Sequence, residues 1–205
     1  MGSSVLQNKF GVNIQMVMAH PDDEIIFGWP MLVDRLATSI LICSNDADNP
    51  DRQWCRHRSE ALMELAESLN IPAHSLGYSS EFYKLPTRDE QLKEMMDDVT
   101  ANLDPNADAI FTHNPWGEYG HLDHIVIHMA VQSIGKPVIF TDIFIPSNWM
   151  NLKFAPKTGF SSLCHAVNDL TFYQYCQSFY LKHNVWTWNH PPIEHCNILG
   201  SWEQK

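Results

Sequence analysis

The chain has 205 residues, a length that suits one domain with a proper core. Its 44% hydrophobic and 18% charged residues are an ordinary globular balance, and a formal charge of -11, from 13 basic against 24 acidic residues, argues against nucleic acid as a partner. No stretch approaches the roughly 20 apolar residues of a membrane span, the N-terminal Met-Gly-Ser-Ser lacks the basic and apolar regions of a signal peptide, and the cysteines at 43, 55, 164, 176 and 196 form no Cys-x-x-Cys pair, so a cytoplasmic protein with reduced thiols is expected.

The first apolar stretch, Val12 to Met18, ends abruptly in Ala19-His20-Pro21-Asp22-Asp23-Glu24. That is the pattern of a buried strand delivering a loop to the carboxyl edge of a parallel sheet, where α/β folds place their chemistry. His20 offers an imidazole nitrogen and Asp23 a carboxylate oxygen, a pair suited to a divalent, zinc-like metal if the loop turns back on itself. Asp22 then stands where a general base acting on a metal-bound water belongs. The competing reading is a helix N-terminus, which also favours Asp and Glu. Next, Trp29-Pro30 opens a helix to about Leu36 with proline in its first turn, and Ser39 to Cys43 reads as the second strand.

The polar loop from Ser44 to Asp51 follows; its Asp46-x-Asp48 fails as a calcium loop, because Asp51 stands where the turn needs glycine and His57 where a glutamate is needed. Gln53 to Leu69 carries Trp54, Ala61, Leu62, Leu65 and Leu69 at helical spacing. Arg56, Arg58 and Glu60 on this helix read as exposed i,i+4 partners. His74 to Tyr78 is a third strand, and Arg88 to Leu103 a helix with Leu92, Met95, Met96, Val99 and Leu103 on one side. Ala109 to Thr112 is the fourth strand and leads into a second cluster, His113-Asn-Pro-Trp-Gly-Glu-Tyr-Gly-His-Leu-Asp-His124. His121 and His124, three apart at a helix start, project from one face, so that one binds metal while the other works beside it. The helix runs from His121 to about Ile134 and is expected to bury Leu122, Ile125, Val126, Met129 and Ile134. His128, four residues beyond His124, makes a rival ligand pair; with His20 and Asp23 available it reads as a packed histidine one turn deeper. Val138 to Ile143 is the fifth strand. From about residue 147 the pattern weakens, although Leu170 to Leu181 is helical in type, and Trp186, Trp188 and Pro191-Pro192 form an irregular closing segment placed to cover the sheet or a second copy of the chain. The whole, 1–205, reads as a single α/β domain with a Rossmann-like, mostly parallel sheet flanked by helices.

The two clusters together resemble the PIG-L/LmbE-type de-N-acetylases, whose signatures are an Ala-His-Pro-Asp-Asp-Glu loop, here Ala19 to Glu24, and a later His-x-Asp-His, here His121 to His124. Asn114 to Gly120 also resembles the members that act on N-acetylglucosamine derivatives of inositol. The family usually carries paired glycines where Trp29 and Pro30 stand here, and a glycine-rich segment in place of the loop from Ser44 to Asp51; Arg56, Arg58 and Glu60 resemble a basic-acidic pair that it carries in this helix, a second reading beside exposed i,i+4 partners. The resemblance implies hydrolysis of an N-acyl, above all N-acetyl, amide on an amino sugar or related small metabolite. Zinc would be held by His20, Asp23 and His124, with Asp22 as general base, a protonated His121 oriented by Asp123, and Tyr119 reaching the carbonyl oxygen. Two histidines and one carboxylate form a catalytic rather than a structural zinc set. The same set accepts ferrous iron, so a non-haem iron enzyme is the rival of a different class. A non-catalytic sugar or metabolite binder is the third reading, opposed by the presence of Asp22, which binding does not need.

Overall fold

The computed structural model describes residues 12–45, 51–80, 88–141, 143, 161–165, 170–188 and 196–201. Strands β1 (Ile14–Met18), β2 (Ala37–Ser44), β3 (Ala73–Tyr78), β4 (Ala109–Phe111), β5 (Val138–Thr141), β6 (Ser161–His165) and β7 (Cys196–Ser201) form one sheet in the order β3-β2-β1-β4-β5-β7-β6. The first five are parallel, and β7 and β6 add to β5 as antiparallel strands. The mostly parallel α/β sheet is therefore present. The stretch beyond residue 147, expected to be irregular, contributes two strands that sequence periodicity missed.

β1 is the central parallel strand, paired with β2 on one side and β4 on the other, and all five of its residues are buried. Alternation along it feeds both faces of the sheet. Met16 and Met18 join Ile40 and Ile42 of β2 in one core, under the short helices α1 (Asp23–Ile26) and α2 (Trp29–Val33) and the longer α3 (Arg52–Leu69). Val17 joins Leu41 and Cys43 in the other, under α4 (Arg88–Ala101). The chain leaves β1 for β2 on one side and reaches β4 on the other, so the order reverses between β1 and β4. In open α/β sheets the crevice at such a reversal is where ligands bind.

The helices begin and end where local chemistry dictates. Asp51 caps α3 by accepting hydrogen bonds from the Gln53 and Trp54 amides at 3.1 and 3.0 Å, and Asn70 closes it in the left-handed region at φ 57°. The second-cluster helix is split: a single turn, α5 (Gly117–Gly120), precedes α6 (Leu122–Gln132), which is capped by His121. The buried face of α6 is not the expected one. Asp123, His124, Ile127, His128, Ala130 and Val131 face inward, while Leu122 and Met129 are exposed. The last helix, α7 (Leu170–Lys182), packs against α3 and buries Tyr173, Cys176 and Tyr180. Among the described residues no helix is long and apolar enough to cross a membrane. Most of the loops 44–51 and 79–87, and Pro191-Pro192, lie outside the described residues.

Candidate active site

Because β1 and β4 are neighbours, the loops leaving their carboxyl ends flank one crevice, and the two sequence clusters meet there. A cleft of about 300 Å³ opens at this point, lined by His20, Asp22, Asp23, Tyr119, His121 and Asp123 together with Arg58 and Thr187. Of the other residues proposed for the site, His124 lies beside it, with its ring against those of His20, Tyr119 and His121.

Oδ2 of Asp23 is the centre of the cluster. It lies 3.2 Å from Nδ1 of His20, 3.4 Å from Nε2 of His113 and 3.5 Å from Nε2 of His124. Two sets of ligand-type atoms fall within 4.8 Å of one another, His20 with His121 and His124, and Asp23 with His113 and His124; His124 belongs to both. Its Nδ1 is 2.7 Å from Oε2 of the buried Glu118, whereas its buried Nε2 makes no hydrogen bond. A histidine anchored through one nitrogen on a carboxylate, with the other bare and aimed at a second carboxylate, fits a divalent metal. His113, which opens the second cluster, is also close, and its Nε2 accepts the Ala19 amide at 2.9 Å while Nδ1 faces Glu118 at 3.2 Å. Its lone pair is occupied, so it orients the loop. His128 is turned away, with Nδ1 2.7 Å from the His113 carbonyl and its ring edge-on to Phe140.

Glu118 was invisible as a partner in the sequence. It sits at φ 53°, between Gly117 at φ 66° and Gly120 at φ 89°, in a turn that bends its carboxylate back under His124. Its other oxygen accepts the Asn114 amide at 2.9 Å. A Cβ on Gly117 would lie 2.9 Å from Ile125, so both backbone angle and space require glycine there. Burial works against a charge on Glu118, but His113 and His124 outweigh it and lower its pKa to about 2.

Asp22 occupies the N-cap position of α1, yet its side chain does not cap the helix. Its Oδ1 accepts from Nη2 of Arg58 at 2.7 Å and its Oδ2 from the Thr187 hydroxyl at 2.6 Å, while its amide donates to Oε2 of Glu24 at 2.9 Å. Arg58 also donates to the Pro21 carbonyl and stacks over Trp54 at 4.7 Å. Burial raises the Asp22 pKa, opposed by Arg58 and reinforced by Asp23. The helix-start reading thus describes the backbone and misses the side chain. On α3 the two readings divide between residues: Arg56 and Glu60 are the exposed i,i+4 pair, at 3.5 Å, and Arg58 is buried on Asp22.

Asp123 is closer to His20, at 2.9 Å from Nε2, than to His121, at 3.9 Å from Nδ1. Burial disfavours charge on His20, but hydrogen bonds to Asp123 and Asp23 prevail and lift its pKa to about 10. His121 is driven the other way, by burial and by the neighbouring His124 and His20. Its Nδ1 accepts the Asp123 amide at 3.3 Å, so the neutral ring carries its proton on Nε2. Burial and this contact favour the neutral ring over the cation that the resemblance implies. The Tyr119 ring lies edge-on to His121 and His124, and burial holds its hydroxyl protonated.

Known proteins share the fold and the family of this chain. The chain is 25% identical over 161 residues to the uncharacterized protein L374 of Acanthamoeba polyphaga mimivirus, covering 73% of this chain and 70% of that one. Among solved structures, a deacetylase of the teicoplanin biosynthesis pathway, in complex with teicoplanin, superposes with a TM-score of 0.65 at 14% identity, over 92% of this chain and 97% of that one. N,N'-diacetylchitobiose deacetylase from Pyrococcus horikoshii superposes with a TM-score of 0.55 at 15% identity, over 90% and 74%. These likenesses establish the fold. The family model described as PIG-L, GlcNAc-PI de-N-acetylase, matches residues 15–134, which hold both sequence clusters and more than half of the chain, and the protein therefore belongs to the PIG-L family.

Proposed function

We propose that the protein hydrolyses an N-acetyl amide on an amino sugar or a related small metabolite, with a divalent metal, zinc first, held by His20, Asp23 and His124. The observation that carries this reading is the bare, buried Nε2 of His124 beside Asp23 and His20, with the polar Asp22 in the same cleft. Family membership and the deacetylase folds support the reaction class. When bound, the metal supplies Lewis acidity to the amide carbonyl and to the attacking water.

The protein's own groups do the rest. Asp22, the carboxylate kept charged by Arg58, takes a proton from water as the water oxygen bonds to the carbonyl carbon. The Nε2–H of His121 and the hydroxyl of Tyr119 are the donors for the oxyanion that forms, and neither needs a net charge to serve. The C–N bond then breaks, the proton held by Asp22 passes to the amine nitrogen, and acetate and the free amine leave. Asp123 fixes His20, and Glu118 fixes His124, in the tautomers that ligation requires. Phe27, Tyr119 and Trp188 give the cleft an aromatic wall suited to a pyranose ring, with Trp188 edge-on to Phe27 at 5.6 Å.

The test is release of acetate by the zinc-loaded protein from a panel comprising N-acetylglucosamine, N,N'-diacetylchitobiose, and inositol-linked and nucleotide-linked N-acetylglucosamine. Turnover of at least one member, lost on chelation and restored by zinc, is expected. Turnover that survives complete removal of metal would sink the metal-dependent mechanism.

A further inference from the structure

The C-terminal segment Val185 to Trp188 lies outside the matched residues 15–134, yet it reaches into the cleft. It is anchored on both sides of Thr187. Val185 is buried and its amide donates to the Tyr180 carbonyl at 3.0 Å. Trp186 packs on Tyr173 and Tyr180 and donates from Nε1 to the Trp188 carbonyl at 2.7 Å, while Trp188 lies against Phe27 and Tyr119. Between these anchors the Thr187 hydroxyl is delivered to Oδ2 of Asp22 at 2.6 Å.

The two partners of the Asp22 carboxylate differ in what they tolerate. Arg58, on Oδ1, has only donors and no lone pair to offer a protonated oxygen. Thr187, on Oδ2, has a hydroxyl that donates to a carboxylate and, after rotating, accepts from a carboxylic acid. We propose that Thr187 is the positioning residue of the base, holding Oδ2 in the direction of the attacking water and making it the oxygen that receives the proton. The balance is that of the proposed hydrolysis: a water O–H bond breaks, the proton binds Oδ2, the Thr187 O–H turns away and a lone pair of its oxygen accepts the new hydrogen bond. The proton later leaves for the amine, and the hydroxyl turns back. This inference rests on Asp22 acting as the base.

The experiment compares Thr187→Val, Thr187→Ala and Thr187→Ser with the wild type and Asp22→Asn, on the panel member hydrolysed fastest, recording kcat, KM, bound zinc per chain and the urea midpoint. Thr187→Val and Thr187→Ala are expected to lose about 10- to 100-fold in kcat with KM little changed. Thr187→Ser should recover to within about threefold of the wild type, because the hydroxyl is what matters. Zinc content and urea midpoint should stay at wild-type values in all three, which separates positioning from a structural role. Wild-type kcat in Thr187→Val, a serine variant as slow as the valine one, or a change confined to KM would each overturn the inference while an inactive Asp22→Asn left the base reading standing. A wild type inactive on the whole panel, or an active Asp22→Asn, would remove the base reading and this inference with it.

Discussion

His124 and His128 stand one turn apart on α6, and both leave a buried Nε2 without a hydrogen bond. Only His124 points that nitrogen at other ligand atoms, 3.5 Å from Asp23, whereas the ring of His128 ends against Phe140. His124→Ala should therefore lower zinc affinity by about 100-fold or more, on the scale by which even outer-shell partners of ligands act. His128→Ala should leave affinity near the wild-type value. Equal losses, read by competition with a fluorescent chelator, would transfer the ligand role. At this scale the sequence was informative wherever partners are neighbours in the chain, as with His20 and Asp23. Glu118 and Thr187 escaped, and Arg58 was left between two readings, because each contact depends on a turn or a long-range approach: Glu118 on a positive-φ turn, Arg58 on the docking of α3, and Thr187 on a segment 165 residues from Asp22.

The helices show how far hydrophobic pattern reaches. On α3 the apolar spacing is clear, and the helix forms within one residue of its expected start. On α6 apolar residues occur all round, so the pattern does not choose a face; the inward turn of Asp123, His124 and His128 chooses it and leaves Leu122 and Met129 outside. α7 carries a pH consequence of its own. Burial raises the Cys176 pKa to about 12 and pushes the hydroxyls of Tyr173 and Tyr180 above their ordinary range, the latter with further help from Glu24. Groups whose folded pKa is raised contribute stability that is complete below their unfolded values, near 9 for a thiol and 10 for a phenol, and is lost as pH rises toward the folded ones. Stability should accordingly fall from about pH 9 upward, with tyrosine ionisation at 295 nm and loss of helix signal occurring together. Ionisation of all six tyrosines well before any loss of structure would contradict this packing of α7.

Across the whole molecule, two sequence clusters about a hundred residues apart become one site because β1 and β4 are adjacent where the strand order reverses. That much follows from short apolar runs ending in polar loops, and the parallel part of the sheet was legible for the same reason. The antiparallel pair β6 and β7 was not, since long-range pairing leaves little local signature. The C-terminal third nevertheless supplies Tyr180 to Glu24, at 2.6 Å, and Thr187 to Asp22, so the geometry of the base depends on both ends of the described chain. Asp22 itself sits at φ 100°, a conformation costing on the order of 1–3 kcal/mol that surrounding contacts must hold. We propose this strained residue as a base and not a ligand. The most direct test is to measure acetate release and bound zinc in Asp22→Ala beside the wild type. Loss of turnover by about 100-fold or more with one zinc retained per chain is the predicted result. Loss of the metal along with the activity, or full turnover without the carboxylate, would contradict it.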